Sequence, residues 1–215
     1  MPTPRYQDDS IIIHKMECGP YANNMYLVVC PQTNESILID TPADPEPMIE
    51  LAKTTDVKAI IITHNHIDHL LGFDAVTSAI DAPVGISTED ADELPRPADR
   101  LIRDGDVISA GKVNLTAMLT PGHTAGSACF YTPGHLFAGD TLFPGGPGKT
   151  WSPESFQEII ESITTKLFKL DDDDTVFPGH GSDETDVKTA KAEYADFASR
   201  EHPDDIFGDV LWKDA

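Results

Sequence analysis

Three histidines and one aspartate lie within six consecutive positions of this chain: His64, His66, Asp68 and His69. They follow the apolar run 59–62, so a strand that ends there would present all four side chains on one loop. Imidazole and carboxylate groups bind divalent metal ions, and such a loop can hold one or two ions with positions left open for water. Since the chain has eight histidines in all, this density indicates metal binding rather than a histidine-rich surface loop.

Three further junctions between a strand and a loop carry a histidine or an aspartate next to glycine. They are Gly122-His123, Gly139-Asp140 and Gly179-His180, and each follows an apolar segment. Glycine allows the backbone to turn sharply after a strand. One Gly-His pair alone is weak evidence, but four junctions that all offer metal-binding groups predict one shared site.

The elements that must position these loops are short strands with helices between them. Pro, Asn and Gly bound the strand-like segments, which are 11–14, 26–30, 36–40, 58–63, 84–86, 107–109, 113–119, 128–131, 135–138 and 175–177. The spacing of apolar residues predicts helices over 45–53, 68–79, 153–166 (with Ser152 as N-cap) and 184–199. Segment 90–103, with two prolines, is expected to be mostly loop. This order predicts an α+β fold with two sheets flanked by helices.

Composition limits the classes of function. At 215 residues the chain fits a single domain, residues 1–215, and no segment approaches the roughly 20 apolar residues of a membrane span. The formal net charge of −22 disfavours nucleic acid, whose phosphates would be repelled. Because the N-terminus has no apolar core of a secretory signal, we expect a soluble, cytoplasmic protein with no membrane partner. Nothing in the sequence specifies its oligomeric state. Its three cysteines, Cys18, Cys30 and Cys129, are expected to be buried and reduced.

The order and spacing of the motifs resemble those of the metallo-β-lactamase superfamily. The family pattern is filled at all seven ligand positions, namely His64, His66, Asp68, His69, His123, Asp140 and His180. The resemblance covers nearly the whole chain and implies a four-layer αββα sandwich with the site along one edge of the two sheets. It also implies two divalent metal ions, with Zn²⁺ as the first choice and Fe or Mn as the alternatives.

Carried over residue by residue, the family pattern divides these ligands between two ions. One ion would be bound by His64, His66 and His123, the other by Asp68, His69 and His180, and Asp140 would bridge them. A bridging aspartate is similar to the glyoxalase II, lactonase and ribonuclease Z branches, whereas cysteine there would suggest the better-known β-lactamases. His66 argues against the flavodiiron oxygen reductases, which carry glutamate, and the acidic charge argues against the nuclease branch.

A narrower resemblance to glyoxalase II follows Asp140. In the segment Gly139-Asp140-Thr141-Leu142-Phe143 and the later Gly148-Lys149, the residues Lys149 and Trp151 match positions that contact the carboxylate end of glutathione in that branch. The branch also carries a C-terminal helical domain, and only a short tail follows His180 here. We therefore expect a glyoxalase II-like enzyme that lacks this domain. The apolar tail 206–212 is expected to pack into the core rather than to cover the substrate.

The resemblance implies a hydrolase that cleaves a thioester or ester bond of a small acyl substrate, similar to hydroxyacylglutathione hydrolase. A hydroxide that bridges the two ions would attack the carbonyl, and Asp68 would be the catalytic residue that orients this nucleophile. Two alternatives use the same ligands. They are a lactonase and a persulfide dioxygenase with one iron on His64, His123 and Asp140. A metal-binding protein without activity is a third interpretation.

Overall fold

Two β-sheets form the centre of the computed structural model, which describes residues 3–214. The first sheet has seven strands in sequential order: β1 (Tyr6–Gln7), β2 (Ile12–Cys18), β3 (Asn23–Val29), β4 (Glu35–Ile39), β5 (Asp56–Ile61), β6 (Val84–Ser87) and β7 (Arg100–Ile102). The second has the order β15-β14-β11-β10-β9-β8, with β8 (Val107–Ala110), β9 (Val113–Leu119), β10 (Ala128–Thr132), β11 (His135–Gly139), β14 (Thr175–Pro178) and β15 (Thr185–Asp186). A separate hairpin pairs β12 (Leu142–Phe143) with β13 (Gly146–Pro147).

The direction of strand pairing explains where the helices lie. In the first sheet, β1 to β4 pair antiparallel and β4 to β7 pair parallel; in the second, only β11 and β14 are parallel. Parallel neighbours need crossover connections, which helices usually supply. The helices are α1 (Glu46–Ala52), α2 (Phe73–Ala79), α3 (Pro153–Thr165) and α4 (Val187–Ala198), with short 3₁₀ turns at Ile67–His69, Ala91–Glu93 and Leu167–Lys169. The first three α-helices lie in crossovers, and α4 follows the last strand.

Three clusters of buried apolar side chains define four layers. The central cluster lies between the two sheets and includes Ile37 and Phe137. A second cluster, with Phe73, packs α1 and α2 against the outer face of the first sheet. A third, with Ile159 and Trp212, packs α3 and α4 against the second sheet. The resulting order of helices, sheet, sheet and helices is the predicted αββα sandwich.

The helix predicted over 68–79 is wrong at its start. The 3₁₀ turn Ile67–His69 stands apart from α2, which begins at Phe73. Between them, the His69 carbonyl accepts hydrogen bonds from the backbone N–H and hydroxyl of Thr41, and Gly72 packs so closely on the Pro42 carbonyl that a Cβ there would clash. Leu71, which lies between the turn and α2, is 49% exposed. The break separates the predicted metal ligands, which end at His69, from helix α2.

Other expectations at the element level have mixed outcomes. Ser152 caps α3, since its Oγ accepts a hydrogen bond from the Ser155 N–H at 3.2 Å. Segment 90–103 contains strand β7, and the helix predicted from 184 begins after strand β15. The three cysteines are buried and unpaired, as predicted. In the tail, Val210 and Trp212 are buried in the core.

None of the helices within residues 3–214 has both the length and the apolar character needed to cross a membrane.

Candidate metal centre

All seven predicted ligands meet where loops leave the same edge of the two sheets. The loop after β5 and the following 3₁₀ turn carry four of them, whereas the other three follow β9, β11 and β14 of the second sheet. Their potential ligand atoms form three overlapping groups, each within 4.8 Å: His64, His66 and His123; His64, His69 and Asp140; Asp68, His69 and His180. Each sheet therefore contributes part of one cluster, and the ligand role of its members stays a prediction.

Asp140 lies between the two sets of histidines that the family pattern assigns to separate ions. One of its oxygens, Oδ2, is 3.4 Å from Nε2 of His123 and 3.3 Å from Nε2 of His180. The other, Oδ1, is 3.4 Å from Nε2 of His69. A carboxylate in this position can contact cations on both sides of it.

The histidine rings are oriented by hydrogen bonds on the side facing away from the cluster. Three of them donate from Nδ1 to a protein oxygen: His123 to the Lys149 carbonyl at 2.7 Å, His180 to the Tyr21 carbonyl at 2.8 Å, and His69 to Asp40 Oδ2 at 2.9 Å. A ring that donates from Nδ1 leaves the lone pair of Nε2 free for a metal ion. These contacts hold Nε2 of each ring toward the centre of the cluster.

His64 is oriented in the same way through Thr63. The Thr63 hydroxyl donates its only hydrogen to Asp40, with oxygens 2.9 and 3.1 Å away, so it accepts from Nδ1 of His64 at 3.0 Å. The Thr63 backbone N–H also donates to Asp40 at 2.8 Å. One buried carboxylate therefore fixes the orientation of both His64 and His69.

The atoms left without partners fit a metal ion. Within residues 3–214, Nε2 of His64, Nε2 of His123 and Oδ1 of Asp140 are buried with no hydrogen-bond partner. Nε2 of His69 and Nε2 of His180 face each other at 3.2 Å, an arrangement in which two lone pairs repel unless a proton or a cation intervenes. Buried polar atoms without partners cost free energy, and nitrogen and carboxylate donors are the ligands of Zn²⁺ and Fe.

The electrostatic field at the cluster favours positive charge. Burial opposes the charged form of His69, but the carboxylates of Asp40 and Asp140 outweigh it and hold the pKa of His69 well above its usual value. Burial likewise opposes the charged form of Asp140, yet His69 and His180 hold its pKa well below the usual value. For His64, burial and then the nearby His69 lower the pKa well below its usual value, so this ring is neutral and able to bind metal.

Two polar residues that support the cluster were missed by sequence reasoning. The sequence pattern predicts Asp40 only as the end of a strand, and the available signal for a role is a carboxylate directly after a buried strand. Asn23 donates from Nδ2 to Oδ2 of Asp68 at 2.8 Å, and this oxygen lies 3.4 Å from Nε2 of His180. Nothing in the local sequence distinguishes Asn23, because the contact joins residues far apart in the chain.

Two of the glycines beside the ligands are required by space rather than by backbone conformation. A Cβ at Gly179 would clash with Oδ1 of Asp140, and one at Gly148 would clash with the Asp140 carbonyl. Neither position has a positive φ. The expectation of sharp turns holds instead for Gly122 and Gly139, whose φ angles are 135° and 49°.

A cavity of about 380 Å³ opens beside the cluster. His123, Asp140 and His180 line it together with the apolar side chains of Phe143, Pro147, Val210 and Leu211. The tail expected only to pack in the core therefore also lines the cavity, and Leu211 is 45% exposed. Val210 lines the cavity and belongs, with Trp212, to the buried apolar cluster that supports this wall.

The two predicted substrate contacts lie at different places. Lys149 lines the cavity, with Nζ 3.6 Å from Oδ2 of Asp209 and 4.8 Å from the centre of the Trp151 ring. Trp151 is 59% exposed, does not line this cavity, and lies 6.2 Å from the His66 ring, centre to centre. Lys149 is thus placed to meet a molecule in the cavity, whereas Trp151 lies beside Lys149 and the first ligand group.

Known proteins resemble this chain over most of its length. A relative named hydroxyacylglutathione hydrolase, from Polaromonas sp., is 34% identical over 196 residues, which cover 88% of this chain and 74% of that protein. The crystal structure of ETHE1 from Myxococcus xanthus has a TM-score of 0.79 at 25% identity, with 88% of this chain and 86% of that chain covered. TTHA1623, solved in a di-iron-bound form, has a TM-score of 0.68 at 28% identity, with 81% and 95% covered.

The family model described as Metallo-beta-lactamase superfamily matches residues 18–180, a range that contains every one of the seven clustered side chains. With this match over most of its length, the chain belongs to the metallo-β-lactamase superfamily.

Proposed function

We propose that this protein is a dinuclear metal-dependent hydrolase that cleaves a thioester or ester bond of a small acyl substrate. The observation that carries the proposal is the position of Asp140, whose two oxygens lie 3.3 to 3.4 Å from imidazole nitrogens of both predicted ion sites. The name of the Polaromonas relative supports a thioester as the first substrate class to test. The di-iron form of TTHA1623 supports two ions.

The residues that would hold the ions are the two predicted sets, with Asp140 shared between them. Zn²⁺ is our first choice, and Fe and Mn are the alternatives. Bound there, divalent ions supply a Lewis acid that makes water nucleophilic near neutral pH and polarises a carbonyl oxygen.

The side chains around the ions orient the reactants. Oδ2 of Asp68 accepts a hydrogen bond from Asn23 and points toward His180, so the carboxylate is held where it can orient an attacking water and receive its proton. Phe143 and Leu211 give the cavity apolar walls that suit an acyl chain and exclude bulk water. Lys149 offers a positive charge on the cavity wall to an anionic part of the substrate.

A second candidate, a mononuclear iron persulfide dioxygenase, is favoured by one feature. The buried unpartnered atoms of the cluster belong to two histidines and one carboxylate, His64, His123 and Asp140, which is the ligand set of many non-haem iron oxygenases. A lactonase uses the same scaffold as the hydrolase. These candidates differ in substrate and in oxygen use, so one panel of substrates separates them.

The test combines metal analysis with substrate hydrolysis. The purified protein is expected to contain about two metal ions per chain and to hydrolyse an acyl-glutathione faster than a homoserine lactone, without oxygen uptake on glutathione persulfide. His66→Ala should lower metal content and abolish hydrolysis together, because it removes a ligand. His202→Ala is the matched control, since that ring stacks on Phe197 outside the cluster and should leave metal content unchanged.

Three outcomes would contradict the proposal. Full hydrolysis after removal of metal by a chelator would exclude a metal-dependent reaction. One iron per chain with oxygen consumption on glutathione persulfide would assign the dioxygenase instead. Faster hydrolysis of the lactone would be consistent with the metal site but would assign a lactone, rather than a thioester, as the substrate class.

A further inference from the structure

Asp90 is a buried carboxylate behind the metal cluster that hydrogen-bonds two separate ligand loops. It lies just beyond β6 of the first sheet and is 1% exposed. Its Oδ2 accepts from the Asn65 backbone N–H at 3.0 Å and from the Thr124 hydroxyl at 2.7 Å. Its Oδ1 accepts from the Gly126 backbone N–H at 2.9 Å. Both oxygens are therefore used, and all three donors lie in loops that carry predicted ligands.

These contacts join the parts of one predicted ion site and not of the other. Asn65 stands between His64 and His66, and Thr124 follows His123 directly. Those three histidines are the group assigned to the first ion. The group assigned to the second ion is held by Asp40, Asn23 and the Tyr21 carbonyl. Asp40 also orients His64 through Thr63, but it does not bond the loop that carries His123. Asp90 thus bridges the two sheets at the first group alone.

The surroundings leave Asp90 little freedom to move. A Cβ at Gly126 would clash with Ser87 Oγ and would lie 2.6 Å from Asp90 Cγ. The backbone of the loop after β9, which carries His123, therefore packs directly against the carboxylate. Thr124 and Ser127 also tighten that loop, with their hydroxyl oxygens 2.8 Å apart. A displacement of Asp90 would therefore be transmitted to the backbone on both sides of the first ligand group.

We propose that Asp90 is a positioning residue for the His64, His66 and His123 metal site, acting through the backbones of the two loops. The inference rests on the proposed metal centre and not on the identity of the substrate. Because the hydrogen bonds of Asp90 go to Asn65, Thr124 and Gly126 and not to a predicted ligand side chain, its effect is on the geometry of the three imidazoles. A carboxylate is needed there because it accepts hydrogen bonds at both oxygens, whereas the amide of Asn turns an NH₂ group toward one of the donors.

The experiment compares Asp90→Asn with Asp174→Asn. Asp174 is a matched control, since it is also buried and accepts backbone N–H groups of Gly134 and Asp171 with its two oxygens, but away from the cluster. Zn²⁺ affinity is measured by competition with a chelator, and NMR of ¹⁵N-histidine reports which rings respond to the metal. Asp90→Asn should lower the Zn²⁺ affinity of the His64, His66 and His123 site about 10- to 100-fold. The NMR signals of His69 and His180 should still respond to Zn²⁺. Asp174→Asn should bind both ions as the wild type does.

Thr124 provides a milder variant in case Asp90→Asn fails to fold. Thr124→Val removes one hydrogen bond to Asp90 and should lower the affinity for the first ion less than Asp90→Asn does. Thr124→Ser keeps the hydroxyl and should bind this ion with wild-type affinity. Equal weakening of both ions, or wild-type affinity in Asp90→Asn and Thr124→Val, would overturn the role of Asp90. Failure of the wild type to bind Zn²⁺, Fe or Mn would instead overturn the proposed metal centre.

Discussion

Lys149 lies on the cavity wall between two groups that compete for its charge. Its ammonium group is 3.6 Å from the Asp209 carboxylate and 4.8 Å from the centre of the Trp151 ring. Asp209 belongs to the C-terminal tail that forms one wall of the cavity. An anionic substrate must therefore share Lys149 with a carboxylate of the protein itself. This arrangement makes the affinity for anionic substrates depend on both residues, in opposite directions.

Substitution of each partner should shift KM for an acyl-glutathione in opposite directions. Lys149→Met keeps the length of the side chain but removes its charge, and should raise KM about two- to fivefold, the range expected for a partly exposed ion pair. Asp209→Asn should lower KM because it releases Lys149. The value of kcat should stay unchanged in both, and a neutral thioester should show no shift. The control Lys53→Met alters a lysine that forms an ion pair with Glu50. An equal change of KM in this control would mean that Lys149 has no specific role in substrate binding.

At the scale of elements, Glu184 joins the two sheets at the edge formed by β1 and β15. Its carboxylate accepts hydrogen bonds from Arg5, which precedes β1, and from Lys15 of β2 at 3.0 Å. Only 7% of the Glu184 side chain is exposed. Burial opposes its charge, but the bonds to Arg5 and Lys15 outweigh burial and lower the pKa of Glu184 below its usual value of 4.5. The contact is therefore strongest when the carboxylate is ionised.

Glu184→Gln should destabilise the protein near neutral pH and matter progressively less in acid. Because the pKa is lower in the folded state than in the unfolded state, the stabilisation is complete above about pH 4.5 and is lost as the pH falls through the folded value. Urea unfolding of wild type and variant at pH 7 and at pH 3.5 measures the difference. A difference in the free energy of unfolding that is the same at both values would show that the ion pair contributes nothing through charge.

The elements also show which parts of the site could be predicted from sequence. The cluster from His64 to His69 was recognisable because its ligands are close in the chain, and the Gly-His and Gly-Asp pairs each follow a strand. Asp40 and Asp90 were not recognised, since their importance comes from hydrogen bonds to residues more than 20 positions away. The break before α2 was missed for a related reason. The backbone of His69 is held by Thr41 of another loop, which overrides the local helical pattern.

For the whole molecule, the candidate site is a junction between two halves of the chain. Every strand of the first sheet precedes residue 103, and every strand of the second follows residue 106. The first half provides four predicted ligands and the buried carboxylates of Asp40 and Asp90, whereas the second half provides three ligands and most of the cavity wall. Alignment of the sheets is thus a condition for the metal geometry, and a bound ion would in turn stabilise that alignment.

The excess of acidic residues is spread over the whole chain, so repulsion between them opposes the alignment of the two sheets. With 37 acidic and 15 basic residues, self-repulsion opposes the compact state when salt is low. The range of this repulsion falls from about 30 Å at 0.01 M salt to about 3 Å at 1 M. We therefore expect Tm to rise between these salt concentrations, by about 2–4 °C for each kcal/mol of repulsion relieved.

A variant with four fewer negative charges separates this effect from other actions of salt. Glu17→Gln, Asp173→Asn, Glu201→Gln and Asp205→Asn change exposed side chains outside the ligand cluster and the cavity. Neutralising them should raise Tm at 0.01 M salt and reduce the gain on going to 1 M, because less repulsion remains to be screened. Sucrose, which stabilises compact states without screening charge, should raise Tm equally in both proteins. A wild-type Tm that does not fall at low salt would mean that the surplus is tolerated without cost to folding.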